Sequence, residues 1–503
     1  MYLIGYDIGS SSVKTTLLEA ATGKVLASAF APGSEMGMLV LKEGWAEQDP
    51  EKWWQYVVET TQQVLQKAQV SSADIKSIGI AYQMHGLVVV DKNQQPLRPS
   101  IIWCDSRAVE IGDRAFAALG NETCLRNFLN SPGNFTASKL KWVKDNEPEI
   151  YDRIDKFMLP GDYIAMKLSG KAQTTASGLS EGILWNFKEG RPAYELLEYY
   201  GIDAALVPEI VPTFGAQAEV STSAATELGL SPGTIIGYRA GDNPNIAYSL
   251  NVLNPGEVVA TAGTSGVIYG INDQFNFDPN SRVNTFLHVN NTAAKPITGT
   301  LLCVNGTGIL NSWLRKNLFS SQKYSYQYSY SEINELAATV PPGAEGLTIL
   351  PFGNGAERIL QNKQIGASIS GISLTTHTKG HLARAAQEGI IFALRYGFDI
   401  MQGLGIQAKT VKAGDANMFL SPLFAQTFAT VTNTEVELFN TDGSQGAARA
   451  GGVGAGIYPD YASSFTGLSC TRTIIPDNTL IPVYDEIYQN WLQVLNNQLN
   501  ARS

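Results

Sequence analysis

Gly5-Tyr6-Asp7-Ile8-Gly9-Ser10-Ser11-Ser12-Val13-Lys14 lies across two apolar, β-prone runs, residues 2–8 (YLIGYDI) and 13–19 (VKTTLLE). A carboxylate at a strand end is followed by a turn of small, hydroxyl-bearing residues. Such a turn can bring backbone N–H groups and the hydroxyls of Ser10 and Ser11 against a phosphate, with Asp7 holding a divalent cation directly or through water. Lys14 adds a cation on the same side. The GxxxxGK[ST] spacing of a Walker A loop is absent. Read alone, the stretch also fits a plain hairpin turn with a buried Asp.

A second turn of the same kind, Ala262-Gly263-Thr264-Ser265-Gly266, interrupts the apolar run GEVVATAGTSGVIYGI at 256–271. One turn of this sort says little; two, one in each half, point to two domains that clamp phosphates from both sides. Between and around them the chain alternates strand and helix signals. Residues 21–24 (ATGK) mark a turn before VLASAFA. Asp49-Pro50 starts a helix, Asp as cap and Pro in the first turn, and Trp53, Trp54, Val57, Val58, Val64, Leu65 and Ala68 recur at helical spacing. SIGIA at 77–81 and LVVVD read as strands, as does TIIGYRAGDN near 234, with Pro244 opening a helix. Residues 409–429 and 436–456 are strand, loop, helix. The mixture is α/β. A final helix near 485–500 packs back against one of the domains. The segment 323–332 alternates Tyr with polar residues and reads as surface.

The 503 residues exceed the size at which one core stops growing, so two domains are expected, 1–243 and 244–503. A formal net charge of -10 without a Lys/Arg cluster argues against nucleic acid and against an anionic membrane surface as partners. Cys104, Cys124, Cys303 and Cys470 lie far apart with no CxxC pair, so a disulfide framework or zinc site is not expected and a reducing cytoplasm fits. The start has no basic stretch followed by an apolar core of the kind that makes a signal peptide, and no apolar run approaches a membrane span.

With its DIGSS turn, its GTSG turn, Gly241-Asp242-Asn243 between them and a Gly-containing segment near 414, the chain resembles the FGGY carbohydrate kinases, of the wider group that holds actin, hexokinase and the heat-shock ATPases. The resemblance implies two actin-like (ribonuclease H-like) domains flanking an ATP/sugar cleft, with ATP and Mg²⁺ as cofactors and a small sugar as acceptor. Within the family, GWAEQDPEKWW at 44–54, YQMHG at 82–86, IIWCDSR at 101–107, FTASKLKWV at 135–143 and LPGDYI at 159–164 resemble the branch that phosphorylates D-xylulose. The expected reaction is then ATP-dependent transfer of the γ-phosphoryl group, in line, giving D-xylulose 5-phosphate. Ribulose, gluconate, fuculose or rhamnulose as substrate, and a non-catalytic sugar- and ATP-binding protein, remain alternatives. A homodimer is compatible with this reading.

The resemblance assigns roles by position. Asp242 matches the general base, and a carboxylate at a strand end suits removal of a hydroxyl proton during phosphoryl transfer; taken alone it also reads as a helix N-cap before Pro244. Asp7 and Asp242 are the carboxylates for Mg²⁺. Met84, His85 and Gly86 match the sugar-contacting segment, and His85 falls in a loop between strands, where ligands bind. Trp103, Asp105 and Asn243 complete the sugar side, with core packing and a turn as the alternatives for Trp103 and Asp105. Gly263, Thr264, Gly306, Gly414 and Asn417 face the nucleotide, and Trp313 is core or lies by the base. The family's GGGAR-like adenine loop reads Lys412-Ala413-Gly414-Asp415-Ala416-Asn417 here, which puts nucleotide preference in question. Asp442-Gly443-Ser444-Gln445-Gly446-Ala447-Ala448-Arg449-Ala450-Gly451 resembles the family's DxGxxGAA segment, whose small residues let a helix pack closely on the cleft floor.

Overall fold

The computed structural model describes residues 1–321 and 326–501. Two sheets organise them. The first holds β1 (Tyr2–Ile8), β2 (Val13–Glu19), β3 (Val25–Ala31), β4 (Ile75–Tyr82), β5 (Phe214–Glu219) and β6 (Ile235–Gly241), in the order β5-β6-β4-β1-β2-β3. The second holds β7 (Val258–Ala262), β8 (Gly266–Asn272), β9 (Asn284–Leu287), β10 (Thr298–Val304), β11 (Thr410–Gly414), β12 (Glu435–Phe439) and β13 (Cys470–Ile474), in the order β9-β10-β8-β7-β11-β12-β13. The helices used below are α1 (Pro50–Ala68), α2 (Ala176–Glu181), α3 (Asp242–Ser249), α4 (Gly308–Asn317), α5 (Lys379–Gly403), α6 (Gly443–Gly454) and α7 (Ile481–Ala501).

The sheets repeat one plan. In the first, β1 runs antiparallel to β2 and β2 to β3; β1 pairs parallel with β4, β4 with β6, and β5 closes the edge antiparallel. In the second, β7, β8 and β10 form the same antiparallel trio, β11 and β12 the parallel pair, and β13 the antiparallel edge. Each of the two Gly/Ser/Thr turns therefore joins the first two strands of its own sheet.

Local chemistry explains the elements. Asp49 caps α1 by accepting from Glu51 N at 3.0 Å, Pro50 occupies the first turn, and Trp53, Trp54, Val57 and Val64 are buried with the first sheet's apolar side chains. Helix α7 buries Tyr484, Tyr488, Trp491 and Leu495 beside Phe352 and Phe392 in the second half, which decides the question the sequence leaves open.

Helix α6 comes late in the chain yet covers the first sheet. A Cβ on Gly5 would sit 1.8 Å from Ser444 O, one on Gly79 1.8 Å from Ala447 O, and one on Gly237 2.2 Å from Gly451 O. Three neighbouring strands thus carry a glycine at the point where the helix backbone crosses them. The contact works only because the helix itself is Gly- and Ala-rich, and it brings the start of α6 over the end of β1.

All four cysteines are free. Among the described residues no helix is long and apolar enough to cross a membrane. Of the Tyr-alternating segment 323–332, residues 323–325 lie outside the described residues; Tyr326 and Tyr330 are exposed.

Candidate active site

The first turn is held from several sides. Gly9 N donates to Ser12 O at 3.0 Å, Met36 N to Ser11 O at 2.7 Å, and Gln48 Nε2 to Ser10 O at 2.7 Å. Trp103, 43% exposed and so not core, donates from Nε1 to Ser10 Oγ at 3.3 Å. Asp7 ends the strand side of this turn. Burial, and secondarily the Asp442 charge, raise its pKa to about 6 against an opposing pull from Lys14. Lys14 is not a free phosphate cation: it pairs with Asp442 Oδ2 at 2.7 Å. Asp442 in turn caps α6 by accepting from Gln445 N at 3.0 Å. At the next position a Cβ on Gly443 would lie 2.3 Å from Asp7 Oδ2, so the helix start reaches Asp7 only through glycine.

Asp242 opens α3. Its carboxylate makes no capping bond to the helix; Oδ1 accepts from Asn243 N at 2.8 Å and from Asn243 Nδ2 at 2.9 Å, and the cap position belongs to Gly241. Burial, then the charge of Asp7, raise its pKa to about 7. The two carboxylates picked out at opposite ends of the sequence's first half thus feel each other.

The loop Met84–Gly86, expected to contact the sugar, lies beside Asp242. Asn243 Nδ2 is 3.4 Å from Met84 Sδ, and a Cβ on Gly241 would meet Met84 Cγ at 2.5 Å. His85 Nδ1 is 2.9 Å from Glu181 O. A carbonyl only accepts, so Nδ1 carries the proton. Burial lowers the His85 pKa to about 3, keeping the ring neutral. Nε2 is then an acceptor, ready for a hydroxyl donor. The ring is walled by Phe135, edge-on at 4.8 Å, and by Phe286 of β9 at 5.4 Å. Lys139 pins the loop by donating to His85 O at 2.9 Å and Ile102 O at 3.0 Å, and burial lowers its pKa to about 8.

Two expected sugar residues are employed otherwise. Asp105 is fully buried; Oδ2 accepts from Ala46 N at 2.6 Å and both oxygens accept from Arg107, a clamp on the loop and not an open carboxylate. Gly86 is a packing glycine, since a Cβ would come 2.8 Å from Pro160 Cγ.

On the other side, Gly308 N donates to Gly263 O at 2.9 Å and Ile309 N to Thr264 O at 3.1 Å, so the second turn is bonded to the start of α4. Gly306 is wedged under Pro351, where a Cβ would meet Pro351 O at 1.6 Å. Gly414 ends β11, and Asn417, at φ 54°, carries its Nδ2 to 3.7 Å from where a Gly263 Cβ would be. Asp415, the atypical residue of that loop, pairs with Arg472 at 2.6 Å. Trp313 is 51% exposed and lines, with Ile309, Gly353, Asn354 and Ile369, a cavity of about 340 Å³, so it is not core.

Several groups escaped the sequence reading. Glu181 ends α2, is 2% exposed and faces the Tyr82 hydroxyl; burial first, with help from Asp242 and Asp162 and against the pull of Tyr82, holds its pKa well above the usual range. Glu357 is fully buried and accepts from Asn305 N at 3.1 and 3.0 Å, next to Gly306, with burial raising its pKa to about 7. Phe286 and Arg358 come from the second half. Phe135 and Lys139 lie within the family-like segment 135–143; the others had no local signal.

Two turns of small, hydroxyl-bearing residues, the buried carboxylates Asp7 and Asp242 and the loop holding His85 thus stand together with the family comparison. Residues 2–247 match the N-terminal domain of the FGGY family of carbohydrate kinases and residues 258–455 its C-terminal domain. The chain belongs to the FGGY family of carbohydrate kinases. It is 28% identical to a xylulose kinase from Haemophilus influenzae over 97% of this chain and 98% of that protein. A crystal structure of a xylulose kinase from Brucella ovis superposes with a TM-score of 0.88 at 26% identity, covering 100% of both chains. A gluconate kinase from Lactobacillus acidophilus superposes with a TM-score of 0.87 at 24% identity over 99% of this chain and 98% of that one, a likeness of fold. The FGGY kinase described here is accordingly a carbohydrate kinase with the two-domain actin/hexokinase-like architecture, acting on a sugar and ATP.

Proposed function

We propose that this kinase phosphorylates D-xylulose to D-xylulose 5-phosphate. The observation that carries the reading is the loop Met84–Gly86, with a neutral His85 presenting Nε2 as acceptor and Met84 tied through Asn243 to Asp242. A sugar hydroxyl donating to His85 is oriented by the same stretch that abuts the base. The xylulose kinases among the relatives support the choice of sugar.

Asp242 takes the proton of the attacking hydroxyl. Its raised pKa makes it a competent acceptor near neutral pH, where it is still substantially ionised and basic enough to bind the proton. The hydroxyl-bearing turn at Ser10 and Ser11, the turn at Gly263 and Thr264, and the start of α4 supply backbone and side-chain donors on either side of the phosphates. Adenine lies on the side of Gly414, Asn417 and Trp313.

Among the described residues no cluster of three His, Cys, Asp or Glu side chains frames a metal. The charge of Asp7 adds to burial in raising the Asp242 pKa, and a cation shared with phosphate oxygens would relieve that. Two carboxylates with the remaining positions left to water and phosphate suit Mg²⁺. When bound, Mg²⁺ neutralises the charge of the phosphate oxygens. Four unpaired thiols suit a reducing cytoplasm.

The test is a coupled assay of ADP release over D-xylulose, D-ribulose, D-gluconate, L-fuculose, L-rhamnulose and glycerol. D-Xylulose should give the highest kcat/KM. Faster turnover of another compound with D-xylulose inert overturns the sugar. Asp242→Ala should abolish turnover while ATP still binds by calorimetry; near-normal turnover removes Asp242 from the role of base.

A further inference from the structure

Arg358 belongs to the second half of the chain yet reaches the sugar loop of the first. Its guanidinium carbon lies 5.4 Å from the centroid of the Phe135 ring, the ring that meets His85 edge-on. Nη2 is 3.5 Å from where a Cβ on Gly133 would be. Its charge reaches His85 on one side and, on the other, Cys303, which in turn feels Asp242. Among the described residues Arg358 has no ion-pair partner, and the one side-chain hydrogen bond found for it is long, Nη1 to Ser281 O at 3.4 Å. A guanidinium carries five N–H donors in a fixed fork. Burial works against the Arg358 charge and Asp113 favours it, but among the described residues no carboxylate lies within ion-pair distance. Placed against an aromatic wall of a sugar pocket, such a guanidinium fits a ligand rich in oxygen acceptors.

Its backbone is not free to drift. Glu357, the residue before it, is fully buried and accepts from Asn305 N with both oxygens, beside Gly306 and the start of α4. The dipeptide therefore has one side chain on the phosphate-side turn and the next at the sugar loop. Nearby, Phe286 of β9 closes the other side of His85.

We propose that Arg358 is a sugar-contacting, specificity-determining residue supplied by the second half, donating to an oxygen of the acceptor sugar, and that the sugar site is incomplete until Glu357 has docked the segment on the phosphate-side turn. The inference rests on the reading of the cleft as a sugar site, not on which sugar is used.

The experiment therefore takes the sugar that the wild-type enzyme turns over best. Arg358→Gln keeps the length and polarity and removes the charge; Arg358→Lys keeps the charge. The expected result for Arg358→Gln is a sugar KM raised about ten- to a hundredfold, the range for a lost charge-assisted hydrogen bond, with the ATP KM within about twofold. Arg358→Lys should recover part of that loss. Singly deoxygenated analogues of the sugar give the readout that packing alone would not move. For one of them the wild type should lose affinity by a similar factor, and Arg358→Gln should add little further loss. Glu357→Gln should raise both KM values, since it releases the turn and the segment together. A sugar KM for Arg358→Gln within about threefold of wild type would overturn the proposal. So would equal losses for sugar and ATP, or losses that multiply for every analogue. If Arg358→Gln does not fold, as read by circular dichroism, the Lys variant with the analogues carries the same decision.

Discussion

His85 sits at φ 61°, in the left-handed region that side chains with a Cβ seldom adopt. The strain is held by Lys139 on its carbonyl and Glu181 on its ring, which leaves Nε2 as the free acceptor of a neutral ring. Asp242 stores a different cost. Its folded pKa of about 7 lies above the unfolded value of roughly 3.9, because the site is buried and faces Asp7. A carboxyl raised on folding favours the fold while protonated. That contribution is complete below the unfolded pKa and is lost as pH rises through about 7. Asp242→Asn cannot ionise, so its stability advantage over wild type should grow with pH. Between pH 5 and pH 8, without nucleotide or metal, the difference in unfolding free energy should widen by about 1–2 kcal/mol in favour of Asn, allowing for a part-open cleft. Denaturant titrations at the two pH values measure it, and a gap that does not change with pH removes the linkage. The same substitution should abolish phosphoryl transfer, so the residue trades stability for chemistry.

At the scale of elements, the site depends on how closely α6 lies on the first sheet. Gly79→Ala would drive a methyl carbon to 1.8 Å of Ala447 O, where the neighbour is backbone and cannot rotate away. The helix must lift, and the expected loss is roughly 2–4 kcal/mol of stability, as for overpacked cores. Because Gly443 at the start of α6 lies over Asp7, activity should fall with stability, and low temperature should not restore it. A variant as active and stable as wild type would show that the helix has room. This contact also marks how far the sequence could be read. The Gly/Ala pattern at 442–451 signalled a closely packed helix, and the strands, the α1 cap and both phosphate-type turns were legible because each rests on local chemistry. Its partner sheet was not legible, since nothing local links residue 447 to residue 79. Asp105 misled for the same reason: a carboxylate after an aromatic looks like a sugar contact until Arg107 and Ala46 are seen to occupy it. Glu181, Glu357 and Arg358 acquire meaning only from neighbours remote in sequence.

Across the whole molecule both halves contribute to the walls around His85, the proposed sugar site, and Asn130 joins them there as a side chain that imitates a strand. Asn130 Nδ2 donates to Thr285 O at 2.7 Å, and Thr285 N donates to Asn130 Oδ1 at 3.1 Å, so the amide pairs with both backbone groups of a residue in β9. Asn284 Nδ2 adds a bond to the same Oδ1 at 3.0 Å. Farther along, Leu287 N donates to Ser180 Oγ at 3.0 Å and Ser177 Oγ to Leu287 O at 3.2 Å. The outer edge of β9, with no strand beside it among the described residues, is thus satisfied by the first half's side chains. Phe286, between these bonds, is held against His85 by them. Asn130→Ala leaves a buried N–H and C=O of Thr285 without partners, a penalty of about 1–3 kcal/mol. If the strand relieves that penalty by drawing away, Phe286 leaves His85 and the sugar pocket loosens. The expected kinetics are then a rise in sugar KM exceeding any rise in ATP KM, because the Gly263–Gly308 contact, on the side proposed for the nucleotide, lies within the second half and is untouched. Serine at 130 should not rescue, since one hydroxyl cannot pair with the N–H and C=O in the geometry of an amide, whereas glutamine should restore part of the sugar affinity if the strand can shift to meet it. Equal changes in both KM values for Asn130→Ala would mean that the bond holds the halves together generally and does not set the sugar pocket in particular.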